Sequence, residues 1–270
     1  MQIYFNGQFM ADNEAQVSIN DRSYRFGDGV FETALIYNGK IWDWPRHAAR
    51  LQKGLEFFKL DIDIKNIPQI AAALIEENNI GQGYVRVVIS RGETEGVGYK
   101  VTPTKPVMLV QVTAKPLPEF QTIKLFVSST RAFYHYPCKT NNALHYTMAL
   151  MEAESEGCEN AVMLSPDDII CETATGNLFW IKDNMLYTPS TDLPFVLGTV
   201  RAAVLELWPG EAQEGKFTLD DLRNADEIFM TNVGGIVTAV SEVAPLGIRG
   251  NSQNQTMQIR KNLLAKIYEI

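Results

Sequence analysis

Lys139 lies in a segment whose composition could support covalent chemistry. The segment Tyr136–Asn142 comes directly before a helix predicted over Asn142–Glu156. Only a neutral amine attacks an aldehyde, and burial favours the neutral form of a lysine, so a shielded lysine here could form a Schiff base. A lysine that is only a surface charge would face the unfavourable end of the helix dipole at this position. Taken alone, a single lysine is more simply interpreted as a solvated charge.

Glu172 is the second candidate. It follows the apolar pair Ile169–Ile170 and precedes small residues. A carboxylate at the inner end of a strand is costly unless a cation pairs with it. The protonated ring nitrogen of a cofactor would be such a cation, and holding it protonated would keep the ring an acceptor of electrons. The alternative is a carboxylate that ends a strand in solvent.

Three further features could bind an anion. In Leu197–Arg201 a glycine leads into a helix whose first residues, Thr199 and Val200, would offer free backbone N–H groups. The glycine pair after Thr231 would let the backbone around Val233 and Gly234 approach a ligand closely. Arg50 carries the planar fork of donors that suits a phosphate. Each has a plain alternative: a helix cap, a flexible loop and a surface charge.

Periodicity indicates the elements that would position these residues. Strands are predicted at Ile3–Phe5, Phe31–Tyr37, Tyr84–Ser90, Val107–Thr113, Ile123–Ser128, Ala161–Leu164, Ile169–Glu172, Leu178–Ile181 and Glu227–Thr231. Hairpin partners are predicted at Phe9–Met10, at Lys40–Trp42 after an Asn38–Gly39 turn, and at Asn184–Tyr187. Helices are predicted at Pro45–Leu60, Ile67–Asn78, Asn142–Glu156, Thr199–Leu207, Leu219–Asn224 and Gln258–Tyr268. Strands and helices do not alternate strictly, which favours an α+β fold over a doubly wound sheet.

A proline pair marks the predicted domain boundary. Pro116 and Pro118 cannot both lie inside a helix or a central strand. The division expected from this break is a small N-terminal domain over residues 1–115, a linker over 116–122 and a larger cofactor-binding domain over 123–270.

Composition excludes several classes of function. The chain has 270 residues and a net charge of -8, without any basic run, so nucleic acid and anionic membranes are not expected partners. The N-terminus does not have the pattern of a signal peptide, and no apolar stretch is long enough to span a bilayer. The three cysteines have no metal-ligand spacing and fit a reducing compartment, so a cytoplasmic protein without a metal is expected.

Taken in order, these segments resemble the fold-type IV pyridoxal-phosphate enzymes. That family includes branched-chain aminotransferases, D-amino-acid aminotransferases and 4-amino-4-deoxychorismate lyases. The resemblance covers nearly the whole chain. It rests on Asp21–Arg22, Phe26–Glu32, His47–Leu51, Lys139 with Asn142, Glu172, Asn177–Phe179, Gly198–Arg201 and Thr231–Gly235.

The resemblance implies a fold, a cofactor and roles. Two α+β domains, the smaller one N-terminal, would hold pyridoxal 5'-phosphate between them, usually in a homodimer. Lys139 would bind the cofactor aldehyde and move the substrate proton, and Glu172 would pair with the ring nitrogen. The phosphate would be held by the side chain of Arg50, by the amides of Thr199 and Val200, and by the loop at Val233–Gly234. Some relatives have a hydroxyl residue where Val233 stands, so only the backbone could contribute there.

The resemblance favours an aminotransferase that exchanges an amino group between an amino acid, of the branched-chain type, and a 2-oxo acid. Tyr84 and Arg86 resemble a Tyr-x-Arg pair in the substrate pocket of branched-chain aminotransferases, and Phe26 and Phe31 would supply apolar walls. The alternative is aminodeoxychorismate lyase, which releases p-aminobenzoate and pyruvate, because Val87–Gly92 and Gly96–Tyr99 resemble that enzyme. The lyase pattern has an arginine where Val97 stands, and the Arg-x-His trap of D-amino-acid enzymes is absent from the sequence of this loop.

Overall fold

A computed structural model describes residues 1–94, 98–101, 105–133, 135–250 and 252–270. Its strands are β1 (Gln2–Phe5), β2 (Gln8–Ala11), β3 (Gly29–Tyr37), β4 (Lys40–Ile41), β5 (Gly83–Ser90), β6 (Val107–Ala114), β7 (Thr122–Val127), β8 (Asn160–Leu164), β9 (Ile170–Thr173), β10 (Asn177–Lys182), β11 (Met185–Pro189), β12 (Ala212–Gly215), β13 (Glu227–Asn232) and β14 (Ile236–Ala244). Its helices are α1 (Arg22–Phe26), α2 (Trp44–Phe58), α3 (Ile67–Glu77), α4 (Leu144–Ser155), α5 (Thr199–Leu207) and α6 (Asn254–Tyr268). The mixed helix and sheet architecture confirms the predicted α+β class.

The chain divides into two compact units. The first contains Met1–Leu117 together with Pro137–Ala143 and the last residue, and the second contains Pro118–Tyr136 and Leu144–Glu269. Within the described ranges, no helix is both long and apolar enough to cross a membrane.

The first unit is built on a six-stranded sheet in the order β2-β1-β6-β5-β3-β4. Its pairings are antiparallel, so residues directly opposite each other on neighbouring strands project from the same face. One face carries apolar residues that are completely buried, where α2 packs on β3 and α3 on β6; they include Val30, Ala34, Val87, Ile89 and Val110. The other face carries Phe31, Tyr84 and Arg86, which are only partly buried or exposed.

The segment Pro137–Ala143 belongs to the first unit, which differs from a division that gives residues 123–270 to one domain. The reason is backbone pairing with the start of β3. The Phe31 N–H donates to the Lys139 carbonyl at 3.0 Å, and the Asn141 N–H donates to the Gly29 carbonyl at 3.0 Å. Lys139 is therefore fixed against β3 although it comes late in the sequence.

The second unit is built on an eight-stranded sheet in the order β12-β11-β10-β13-β14-β7-β8-β9. The pairs β11–β12, β14–β7 and β7–β8 are parallel and the others are antiparallel. Trp180 and Leu125 lie in its core, while α6 packs on β14 and α5 on β13. These contacts hold the ends of β9 and β13 and the start of α5 in one unit.

Most of the predicted elements are confirmed, and α5 has the predicted bounds. Helix α4 begins at Leu144 rather than Asn142, since Pro137–Ala143 is held by β3, and the helix expected at Leu219–Asn224 is a short 3-10 turn. Helix α1 and strands β12 and β14 have no counterpart in the sequence-based assignment.

Candidate active site

Lys139 in the first unit is held from two sides. Besides the pairing with β3, its neighbour Cys138 packs against α2, where a Cβ on Gly54 would lie only 2.7 Å from the Cys138 Cβ. The Lys139 Nζ lies 5.3 Å from the centroid of the Phe31 ring, close enough for a cation–π contact. The amine is thus placed on the open face of the first sheet.

Arg86 shares the Phe31 ring with Lys139. Its Cζ lies 4.8 Å from the same ring centroid, so the Lys139 Nζ and the Arg86 guanidinium are at most about 10 Å apart. Arg86 is directly opposite Thr33 on one neighbouring strand and Gln111 on the other. An amine and a guanidinium at this spacing could contact the two ends of one small molecule.

Tyr84 lies two residues before Arg86 on the same face of β5. Burial raises the pKa of the Tyr84 phenol, which therefore stays a neutral hydroxyl group. Three of the four predicted substrate residues, Phe31, Tyr84 and Arg86, are thus brought together on this face. The fourth, Phe26, is the last residue of α1, where its ring lies 5.0 Å from the Arg22 guanidinium carbon and 4.9 Å from that of Arg25.

Arg50 is part of a buried ionic cluster with Glu32 and His47. Its Nε and Nη2 donate to the two Glu32 carboxylate oxygens at 2.6 and 2.8 Å, and the His47 Nδ1 lies 2.8 Å from one of them. Burial alone would raise the pKa of Glu32, but the charge and hydrogen bonds of Arg50, with those of His47, lower it to about 2. Arg50 is therefore held rigidly on α2 by a carboxylate that stays ionised.

Glu172 in the second unit is 3% exposed on β9. One carboxylate oxygen accepts a hydrogen bond from the Tyr146 hydroxyl at 2.7 Å, and the other accepts one from the Val196 N–H at 3.4 Å. Burial and the nearby Glu172 charge raise the pKa of Tyr146 far above its ordinary value, so Tyr146 remains a donor. The carboxylate is thus oriented by two groups of its own unit.

The start of α5 has the features of an anion site. Gly198 is the N-cap residue and has no side chain, so it supplies no capping acceptor to the first-turn N–H groups. The Gly198 N–H itself donates to the Asn177 side chain at 3.0 Å, and a Cβ at Gly198 would collide with that oxygen. The Thr199 hydroxyl is buried without a hydrogen-bond partner in the described part of the chain.

The loop after β13 has a second unsatisfied hydroxyl. Thr231 is buried, and its Oγ1 has no partner among the described residues. The Asn232 side chain accepts a hydrogen bond from the Gly235 N–H at 2.5 Å and donates to the Thr175 carbonyl at 3.2 Å. Val233 and Gly234 form the turn between these anchored ends.

Some residues of these sites are missing from the sequence-based set. Tyr146 gives no signal in sequence, because a tyrosine on a helix that is apolar on several sides is more simply interpreted as core. Asn177 and Glu32 do have a signal, since both lie within the segments that carry the resemblance, but their pairing with Gly198 and Arg50 is visible only in the structure.

The family model for class IV amino-transferases matches residues 29–243, which is most of the chain. The chain belongs to the class IV aminotransferase family. Members of this family are enzymes that depend on pyridoxal phosphate and act on amino acids and keto acids.

Two curated relatives and one solved structure illustrate the range of this class IV aminotransferase family. A putative branched-chain-amino-acid aminotransferase of Methanocaldococcus jannaschii is 28% identical, over 100% of this chain and 96% of its own length. A D-alanine aminotransferase of Staphylococcus epidermidis is 26% identical, over 90% of this chain and 89% of its own. The solved branched-chain amino acid aminotransferase from Escherichia coli has a TM-score of 0.87 at 23% identity and covers 97% of this chain and 92% of its own.

Proposed function

We propose that this class IV aminotransferase exchanges an amino group between a branched-chain amino acid and a 2-oxo acid, with pyridoxal 5'-phosphate as its cofactor. The proposed cofactor residues are Arg50, Lys139, Glu172, Thr199, Val200, Val233 and Gly234. The observation that carries the proposal is the Phe31 ring, which contacts both the Lys139 amine and the Arg86 guanidinium.

The donor set of the second unit fits a phosphate. The buried hydroxyls of Thr199 and Thr231 have no partner among the described residues, and the α5 N-terminus has no side-chain cap. Helix N-termini and free hydroxyls are the groups that proteins offer to phosphate oxygens. Glu172 adds a buried carboxylate that suits a protonated ring nitrogen.

The residues of the chain would divide the chemistry. Pyridoxal phosphate, when bound, supplies an aldehyde for an amine and a ring that accepts electrons. The Lys139 Nζ would bind that aldehyde, and as a neutral amine it would take and return the substrate α-proton. Glu172 would keep a proton at the ring nitrogen, and Tyr146 and the Val196 N–H hold the Glu172 carboxylate in place.

The face of the first sheet that carries Phe31 and Arg86 could contact both substrates, the branched-chain amino acid and the 2-oxo acid. Val88 and Leu109 are opposite each other on this face and offer apolar surface to a branched side chain. Arg86 offers a charged partner to the second carboxylate of a dicarboxylic substrate. The Methanocaldococcus jannaschii relative, putatively a branched-chain aminotransferase, supports the same choice.

The segments that resemble a lyase have structural explanations. Arg91 donates to Asp28 at 2.8 Å and to the Phe58 carbonyl at 2.8 Å, while the Ser90 hydroxyl donates to Asp21 at 2.5 Å. The segment Val87–Gly92 therefore stabilises the first unit, whichever of the two reactions the enzyme catalyses. Gly96 and Val97, the other part of this comparison, lie outside the described residues.

We also propose that the enzyme is a homodimer. Helix α4 exposes three large apolar side chains along one stripe: Leu144, Met148 and Met151, at 66%, 49% and 63%. Exposed apolar surface of this kind is typical of protein interfaces. Sedimentation of the purified chain tests this. Met148→Glu is expected to weaken association, and Lys53→Glu, on exposed α2 surface, is the control.

The function is tested by the visible absorption of the protein loaded with pyridoxal phosphate. We expect L-branched-chain amino acids to bleach the band and a 2-oxo acid to restore it. Lys139→Ala should lose the band, and Lys53→Ala, on exposed α2 surface, should keep it. If only D-alanine bleaches the band, the substrate assignment is wrong. If only aminodeoxychorismate reacts, with release of pyruvate, the enzyme is the lyase.

Arg86→Ala separates the substrate site from the cofactor site. We expect the KM for a dicarboxylic substrate to rise about 10- to 100-fold, as for the loss of a charged hydrogen-bonded pair, while cofactor binding is unchanged. An unchanged KM would remove Arg86 from the substrate site.

A further inference from the structure

Arg260 on α6 is a buried guanidinium whose hydrogen bonds within the described residues all go to backbone carbonyls, and it also lies 6.0 Å from the centroid of the Phe120 ring. It is 6% exposed, and no carboxylate of the described residues lies within ion-pair distance of it. Its Nη1 donates to the Gly235 carbonyl at 2.6 Å and to the Val237 carbonyl at 3.2 Å, and its Nη2 donates to the Pro118 carbonyl. Burying a charged guanidinium costs folding free energy, and an apolar side chain could fill the same space without that cost. The hydrogen bonds of Arg260 therefore indicate a specific role.

The two carbonyls bonded by Nη1 flank a strained residue. Ile236 lies between Gly235 and Val237 and has a φ of +61°, in the left-handed region that β-branched residues rarely adopt. Such a conformation is strained and persists only when its surroundings hold it. Arg260 bonds the backbone on both sides of this strain, and the buried Ile236 side chain prevents the residue from turning over.

The same clamp defines the end of the Thr231–Gly235 loop. The Gly235 N–H is held by the Asn232 side chain, and the Gly235 carbonyl is held by Arg260. The N–H and the carbonyl of Gly235 are thus each held by a different side chain. The turn at Val233–Gly234 is closed against this anchored residue.

We propose that Arg260 is a positioning residue that keeps the Thr231–Gly235 loop in its phosphate-binding conformation. The inference rests on the proposed function, in which Val233 and Gly234 contact the cofactor phosphate. Arg260 acts through the loop backbone and would not itself contact cofactor or substrate.

The test compares two ligands that differ only in the phosphate. Pyridoxal phosphate and pyridoxal are titrated into the cofactor-free protein, for the natural chain, Arg260→Lys and Arg260→Met. Lysine keeps the charge, but it has a single nitrogen. It cannot bond the two carbonyls beside Ile236 and also the Pro118 carbonyl, which Nη1 and Nη2 of Arg260 bond separately. Lys261→Met is the control, because it removes a charge from the next residue of the same helix, at an exposed position.

We expect Arg260→Lys to weaken pyridoxal phosphate binding about 10- to 100-fold, as for the loss of one charged hydrogen bond, and to change pyridoxal binding less than twofold. Inorganic phosphate should also compete less well in this variant. Equal weakening for both ligands, or none, would overturn the positioning role. Arg260→Lys allows the comparison even where Arg260→Met does not fold. If the natural chain itself binds both ligands equally, the proposed phosphate site fails, and the positioning role fails with it.

Discussion

Replacement of Glu32 by glutamine should change the acid stability of the enzyme in a defined way. The Glu32 carboxylate is 1% exposed and accepts two hydrogen bonds from Arg50, and its pKa lies at about 2 instead of 4.5. A folded-state pKa below the unfolded value contributes stability that is complete above the unfolded value and is lost as the pH falls towards the folded value. The window for this loss is therefore about pH 4.5 down to about pH 2.

The size of the effect follows from the shift. A Glu32 pKa of 4.5 in the unfolded chain and about 2 in the folded protein contributes roughly 3 kcal/mol to the free energy of unfolding at neutral pH. About 2 kcal/mol of this contribution is lost by pH 3. Glu32→Gln has no such titration and leaves the Arg50 charge buried without its carboxylate, at a cost of about 3–5 kcal/mol. We therefore expect the variant to be much less stable than the natural protein at pH 7. The difference between their free energies of unfolding should become smaller below pH 4.5.

Urea denaturation from pH 7 to pH 3 measures this gap, with Glu76→Gln on exposed α3 surface as the control. The difference between the natural protein and Glu32→Gln should fall by about 2 kcal/mol over this range. Two stability curves that stay parallel would refute the assignment of an ionised, Arg50-paired Glu32.

Three other predictions concern single groups. Tyr146→Phe removes a buried hydrogen bond to the charged Glu172 and should lower the free energy of unfolding by about 2 kcal/mol, as measured by urea denaturation; an unchanged stability would contradict this contact. Burial raises the pKa of Cys138 to about 11 and that of Cys171 to about 12, so iodoacetamide at pH 8 should label neither in the folded protein and both after denaturation. Ile236→Gly should be about 1 kcal/mol more stable than Ile236→Ala, because both remove the side chain but only glycine tolerates the positive φ; the opposite order would show that this backbone is unstrained.

Local patterning was sufficient for elements whose signals lie within their own residues. Helix α5 has the predicted bounds because a glycine precedes it and Trp208–Gly210 follows it, and both ends act through backbone conformation. The β3 strand and its Asn38–Gly39 turn are likewise local.

Strand β14 shows why other elements were not predicted. Residues Ile236–Val240 are buried without alternation, between β13 on one side and β7 on the other, so the two-residue period that marks a half-buried strand is absent. The strand also begins at a residue with positive φ, directly after a glycine-rich loop that hides its start.

The candidate site was predictable as residue types but not as contacts. In the sequence, Lys139, Glu172 and Arg50 are candidates through the chemistry that their side chains allow, and the order of their segments singles them out. It does not show that Arg50 pairs with Glu32, because that contact joins a helix to a strand through the packing of α2 on β3. The roles of Tyr146 and Arg260 depend on such long-range packing as well.

The pairing of Lys139 with β3 has a consequence for the order of assembly. The Phe31 N–H and the Lys139 carbonyl are joined across roughly 110 residues of chain, so this contact closes a long loop and carries the entropy cost of doing so. During synthesis, the first sheet leaves the ribosome well before the lysine that completes it. The proposed reactive amine therefore reaches its position only after about half of the chain has been made. A nascent or truncated first sheet lacks the group proposed to capture an aldehyde.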